Sequence, residues 1–303
     1  MSRLSAALKL LSFVLIPRQG RVKALYDILD ENNSLCRRSE YLNLGFWADG
    51  ASDLDEAADA MADVMARAAR LGPGDEILDA GCGFGDQDVY WAGRFQPKRI
   101  TAVNVSSRQL TRAQQKSRAA GFSNQIRFVE ADACALPFDD DSFDVVFSLE
   151  SAFHFRTRDR FLIEAARVLR PNGRLVMMDL AGVDRKLSLK DRLVERIGRS
   201  FWQIPKENLY PLSVYEERVR SAGFIDVEAR SVWHSVYPPF VQWARSRLQD
   251  ADIRSRLNPA FRLFLQTSLK ARTKLDPEAM DYIFIRATTP ATPDRGTPSA
   301  SGR

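Results

Sequence analysis

Glu76-Ile-Leu-Asp-Ala-Gly-Cys-Gly-Phe-Gly85 is the stretch on which the reading of this 303-residue chain turns. Its first half is apolar and ends at a carboxylate, Asp79; its second half sets glycines at 81, 83 and 85. A strand that stops at an acid and turns on closely spaced glycines lets a ligand approach bare backbone, because a residue without Cβ takes positive φ and leaves room. The spacing also excludes one ligand. A dinucleotide turn needs G-x-G-x-x-G to bring a helix N-terminus onto a pyrophosphate. Here the pattern is G-x-G-x-G, and Asp86 fills the slot of the third glycine, where its charge repels phosphate.

Outward from that turn, the chain alternates apolar runs with polar ones. Arg99–Asn104 reads as a strand leading into Val105-Ser-Ser-Arg-Gln-Leu110, where Ser106 or Ser107 can cap a helix. Ile126–Glu130 runs into Ala131-Asp132-Ala133. Pro137-Phe-Asp-Asp-Asp-Ser-Phe-Asp144 precedes a strand over 145–149, and Leu169-Arg-Pro-Asn-Gly173 turns the chain into another over 174–179. In this order, over residues 76–180, the motifs resemble those of the class I S-adenosylmethionine (SAM) dependent methyltransferases, with Asp79–Gly85 matching the family's first motif.

The resemblance implies an α/β fold, a Rossmann-like seven-stranded sheet, and SAM as cofactor. Carried over residue by residue, it puts SAM on the turn Asp79, Gly81, Gly83 and Gly85, with the carboxylate near a cationic sulfonium. It puts the ribose hydroxyls at Asn104, where the family usually has Asp or Glu, with Gln109 as a second polar partner; helix capping is the alternative use of these residues. It puts the adenine edge at Asp132 and Ala133, an acceptor-only carboxylate suiting the exocyclic amine. Tyr41-Leu-Asn-Leu-Gly-Phe-Trp47 resembles the N-terminal cover of the small-molecule branch, which acts on macrolide sugars, other glycosides, amines and isoprenoid lipids. The same phrase also reads as an aromatic plug between helices.

Ligands of open α/β sheets gather at the carboxyl ends of strands, so the acceptor side is read from Leu149-Glu-Ser-Ala-Phe-His-Phe155. His154 has the ordinary pKa for a general base toward a hydroxyl, titrating near ~6–7, and matches a histidine proposed as base in the sugar-modifying branch. Local packing between two phenylalanines is its other use. Glu150 is its expected partner, to orient or polarise it, or else faces the SAM methyl group. The reaction this implies is O-methylation of a hydroxyl on a bulky, largely apolar molecule of secondary metabolism. C-methylation of an isoprenoid or lipid alkene is the alternative, N-methylation the third, and a catalytically silent SAM-fold subunit the reading from a different class.

Domain organisation follows. Residues 1–72 form an N-terminal helical cover with a helix over about 53–71; residues 73–288 form the catalytic domain with helical lid insertions at about 181–212 and 232–280; residues 289–303, without large apolar side chains, form a disordered tail. The last two strands, 225–230 and 281–286, pair antiparallel in the family, and Phe201, Trp202, Tyr210, Tyr237, Phe240 and Trp243 are the lid aromatics expected to set substrate size. With 45% hydrophobic residues the chain buries a large core. Its net charge of +5 comes with acids interleaved among the bases, a solvated surface rather than a nucleic-acid stripe. Cys36, Cys82 and Cys134 make neither a metal-ligand spacing nor a disulfide framework, which points to cytoplasm and, with two histidines, to no metal. Residues 3–16 are amphipathic, too short to span a bilayer, and suit either packing or a peripheral membrane or lipid contact.

Overall fold

The computed structural model describes residues 35–189, 202–257 and 280–291, with separate positions between 190 and 201 and between 261 and 269. The expected helix over 3–16 lies outside the described residues, as do Phe201 and the tail from 292 onward.

Seven strands form the sheet: β1 Glu76–Ala80, β2 Arg99–Asn104, β3 Ile126–Glu130, β4 Phe143–Leu149, β5 Leu169–Gly182, β6 Ile225–Ser231 and β7 Met280–Thr288. Their order is β3-β2-β1-β4-β5-β7-β6. All pairs are parallel except those of β7, which runs antiparallel to both β5 and β6. The strands read as continuous apolar runs because both faces are covered. Along β1, β4 and β5, Leu78, Val146 and Leu175 face the core shared with α4 (Arg158–Val168) and α5 (Leu212–Ser221). The residues that alternate with them, Ile77, Val145 and Val176, face the core shared with α1 (Leu54–Ala68), α2 (Asp86–Phe95) and α6 (Trp233–Arg247). Helix α3 (Ser107–Ala119) follows β2, and its cap is Ser106, which accepts the N–H of Gln109. Asp53 caps α1 in the same way through Glu56 N–H.

Two expectations change. Thr289 is not the start of a free tail: its N–H donates to Gly173 O (2.9 Å) and its hydroxyl to Arg170 O (2.6 Å), closing the turn before the inner part of β5. The insertion after β6, carrying α6 and α7 (Ala251–Arg256), builds a third apolar cluster with the cover, in which Tyr41 and Leu54 pack with Phe240, Val241 and Leu248. Trp243 lies 5.5 Å from Trp47, and Tyr237 stacks on Trp233. Their apolar area therefore braces the cover. Among the described residues no helix is long and apolar enough to cross a membrane.

Gly85, the N-cap of α2, sits at φ +74, and a Cβ there would lie 2.9 Å from Ala113 Cβ and 3.1 Å from the Phe128 ring. Gly121 has φ +84 and open space around it. Gly121→Ala should cost only left-handed strain, ~1–2 kcal/mol, while Gly85→Ala adds overpacking of a further ~1–3 kcal/mol. Urea unfolding of both variants checks this, and equal losses would contradict the packing role of Gly85.

Candidate functional site

Strand order reverses direction at β1, with β2 on one side and β4 on the other, and the crevice past their carboxyl ends is where ligands of open α/β sheets bind. A cavity of about 320 Å³ occupies it. Its walls come from the cover (Glu40 to Asn43), the turn after β1 (Gly81 to Phe84), Asn104 and Gln109 after β2, Asp132 and Ala133 after β3, and Glu150, Ser151, His154 and Phe155 after β4.

Gly81 sits at φ +90, and a Cβ there would stand 2.4 Å from Ser151 Cβ. Ser151 Oγ in turn donates to Ala80 O (2.6 Å) and lies 2.8 Å from Ser148 Oγ. The glycine therefore admits a neighbouring strand end. Gly83, at φ +56, is different: an added Cβ would meet only Leu42 Cδ1, at 3.8 Å, so its missing side chain leaves space.

Asp79 and Gly85 do not line the cavity. Gly85 faces Ala113 and Phe128. Asp79 is fully buried behind the turn, where Gln87 Nε2 donates to its Oδ2 (2.9 Å) and to Cys82 O (3.1 Å). Gln87 lines the cavity, and Asp79, its acceptor, does not. Asp88, also fully buried, adjoins Asp79, and neither of its oxygens accepts a hydrogen bond from a donor group. Burial raises both carboxyls above the ordinary range, and Asp88 is raised further by the charge of Asp79, so the pair retains a proton where isolated acids would have lost theirs.

Asn104 Nδ2 donates to Gln109 Oε1 (2.8 Å) and Gly83 O (3.3 Å), and its Oδ1 accepts the Val105 N–H. That leaves the buried Nε2 of Gln109 as a donor with no protein partner, on a residue that lines the cavity. An unspent buried donor of this kind fits a hydroxyl-bearing ribose. Asp132 Oδ1 accepts the Cys134 N–H (2.9 Å), and its carboxylate edges the exposed mouth. Donor set, glycine space and acidic rim all suit SAM.

The cover is pinned at two points. Asp86 accepts the Glu40 N–H (3.2 Å) and is ion-paired with Lys116, which also reaches Glu40 at 3.2 Å, while Arg112 pairs with Glu40 over the Phe84 ring. The acid that argues against a dinucleotide thus holds the lid of the site. The second pin is Glu150, whose Oε1 accepts the Leu44 N–H (2.6 Å) and the Tyr282 hydroxyl. Glu150 holds a left-handed backbone, φ +46, the sort of strain that clusters at functional sites. Burial pushes its carboxyl up to about 7 against the pull of those two donors.

His154 lies at the same end of the cavity, but not as sequence reasoning has it. Its ring faces the backbone carbonyls of Gln203 and Trp202, and Glu150 is engaged elsewhere. Burial pushes the imidazole down to about 3, with those carbonyls pulling the other way, so it is neutral across the physiological range and the expected titration near ~6–7 is not its own. Of the lid aromatics, Trp202, Tyr210, Tyr237, Phe240 and Trp243 line none of the cavity. Sequence reasoning also missed Gln87 and Ser151. Nothing in their local pattern marks them; only the fold brings them to the turn. Among the described residues no cluster of His, Cys, Asp or Glu can hold a metal ion.

Comparison with known proteins shows the family. A family model described as a methyltransferase domain matches residues 78–177. The chain is 32% identical to the erythromycin 3''-O-methyltransferase of Saccharopolyspora erythraea, over 89% of this chain and 90% of that one. It is 29% identical to the 27-O-demethylrifamycin SV methyltransferase of Amycolatopsis mediterranei, over 88% and 94% of the two chains. In fold it is similar to the geranyl diphosphate C-methyltransferase of Streptomyces coelicolor, with a TM-score of 0.69 at 17% identity over 90% of this chain and 98% of that one. The chain belongs to the class I SAM-dependent methyltransferases, in the branch that acts on small molecules. It is an enzyme whose cofactor is SAM.

The acid pair behind the turn gives a test of the electrostatics. A carboxyl raised on folding contributes stability that is fully present below its unfolded value and is lost as pH climbs through the folded one. Asp88→Asn removes one acid and supplies an amide donor to Asp79. Its Tm, relative to the parent, should rise more at about pH 8 than at about pH 5. A Tm difference that is the same at both would mean that the pair shares no proton.

Proposed function

We propose that this methyltransferase O-methylates a hydroxyl of a bulky, largely apolar natural product, with Glu150 taking the hydroxyl proton and neutral His154 orienting the acceptor. The observation that carries the assignment is the separation of two neighbouring groups by their surroundings: a carboxyl near neutrality and an imidazole that stays uncharged, both on the same wall. Both hydrogen bonds to Glu150 fall on Oε1, so neither occupies Oε2. A base is most effective when its pKa lies near the working pH, which favours Glu150 over an imidazole at about 3.

SAM supplies the methyl group and leaves as S-adenosylhomocysteine. The chain supplies alignment. Gly83 leaves room over the turn, Gln109 offers its amide and Asn104 its position to the ribose, and Asp132 with Ala133 meets the adenine edge. The pinned cover walls one side of the crevice, and holding acceptor oxygen and methyl carbon in line is worth up to ~7–11 kcal/mol. Phe155, at the acceptor wall, contributes an apolar face suited to a large ring system. The named O-methyltransferase relatives support this acceptor class, and erythromycin-like and rifamycin-like alcohols are the first to try. A carboxylate and an aromatic face would equally steady a cation on an alkene, so C-methylation is the second reading.

Incubation with [methyl-13C]SAM and a panel of such alcohols should yield a labelled methoxyl by NMR and mass spectrometry; a new C–CH3 or N–CH3 signal instead would overturn the O-methyl assignment. Asp132→Ala should weaken SAM and methylthioadenosine equally, by ~1–3 kcal/mol in calorimetry. Loss confined to SAM would move the adenine edge away from Asp132.

A further inference from the structure

The loop that carries His154 is a single 3₁₀ turn, Ala152–His154, with little of its own to hold it: His154 N–H to Ser151 O and Phe155 N–H to Ala152 O. Such turns have poor hydrogen-bond geometry and rarely fix themselves. What fixes this one arrives from the segment after β5. Asn208, 1% exposed at the end of the short 3₁₀ turn Lys206–Asn208, directs its Nδ2 to the carbonyls of Phe155 (2.8 Å) and Phe153 (3.0 Å), with Ala152 O at 3.5 Å. Its Oδ1 accepts the Arg158 N–H (3.1 Å), the first residue of α4, so one amide ties both ends of the loop.

The support behind it is a buried, ion-paired network. Arg158, fully buried, pairs with Asp179 at 2.9 Å, donates to Asn208 O (2.9 Å) and Leu180 O (2.8 Å), and lies 4.4 Å from the centre of the Tyr215 ring. Asp179 accepts the Phe153 N–H (3.0 Å) and the Tyr215 hydroxyl (2.8 Å). Trp202 and Gln203, on the same segment as Asn208, turn their backbone carbonyls to the His154 ring.

We propose that Asn208 is a positioning residue for methyl transfer: its side-chain amide clips the Ala152–Phe155 turn to the segment after β5 and so fixes the His154 ring against the acceptor wall. The proposal rests on the acceptor site assigned above. Only an asparagine meets the demand at this size. The amide has two donors for carbonyls and an acceptor for an N–H; aspartate would turn a carboxylate on those carbonyls, and leucine would leave them buried without partners. Arg158 and Asp179 are unsuitable probes, because removing either leaves an uncompensated buried charge. Asn208 is neutral and can be changed alone.

The chain has two histidines, His154 and His234, which makes the ring directly observable. In the full chain bound to S-adenosylhomocysteine and labelled with 15N-histidine, with His234→Gln to assign the signals, His154 should show one neutral tautomer and no titration between about pH 5 and about pH 8. Asn208→Ser, which keeps a hydroxyl donor and little bulk, and Asn208→Leu, which keeps bulk and no donor, should each release the ring to mix tautomers or titrate in that range. SAM affinity by calorimetry should stay within about twofold of the parent, and turnover of any alcohol the parent methylates should fall by on the order of 10²-fold. A His154 signature identical to the parent's in either folded variant overturns the proposal, even where Tm falls. A parent chain that binds SAM but methylates no alcohol would instead overturn the acceptor reading, and the histidine spectra would still report on Asn208.

Discussion

The contact between Gly81 and Ser151 is the constraint from which the site follows. At the point where the sheet reverses its order, the ends of β1 and β4 approach until a Cβ on residue 81 would lie 2.4 Å from Ser151 Cβ. Ser151 then bonds back to Ala80 O, so the two strand ends are stitched together at the base of the crevice. Everything above that stitch is placed by it. The turn must swing outward through Gly83, leaving a surface of bare backbone, and the chain leaving β4 must climb the opposite wall, carrying Glu150 on one side of Ser151 and His154 on the other. The cofactor wall and the acceptor wall are thus two faces of one close approach.

Charge is distributed around this crevice to fasten the cover as much as to bind ligand. Asp86, Glu40, Arg112 and Lys116 form a small network at one rim, each partly screened from water, where the pairs hold the cover against α3. At the floor Glu150 accepts from the cover and from β7 together, which joins the N-terminal segment to the C-terminal strand through a residue of the site itself. The insertion between β6 and β7 completes the brace with apolar contacts.

Much of this was legible in the sequence. The seven strands and the antiparallel last pair are what the family resemblance implies, and Gly81, Gly83, Asn104, Gln109, Asp132, Ala133, Glu150 and His154, which reach the cavity, lie at or just past strand ends, where ligands of open α/β sheets gather. What the sequence hid was long-range. Asp79 looks like a ligand and is a buried anchor, since Gln87, eight positions on, folds back over it. His154 looks like a group of ordinary pKa, and burial pushes its imidazole down to about 3 while the backbone carbonyls of Gln203 and Trp202, some fifty residues away, pull the other way. The lid aromatics look like substrate walls because periodicity gives a helix an apolar face without saying which partner that face meets.

The pH dependence of turnover at saturating SAM and acceptor reports whether Glu150 receives the acceptor proton while His154 stays neutral. The kcat of the parent enzyme should rise through about pH 7, and Glu150→Gln should remove this limb and lower kcat by ~10²–10⁴-fold while SAM still binds. A Glu150→Gln enzyme that keeps both the limb and the turnover, beside a His154→Asn enzyme that loses them, would contradict that assignment.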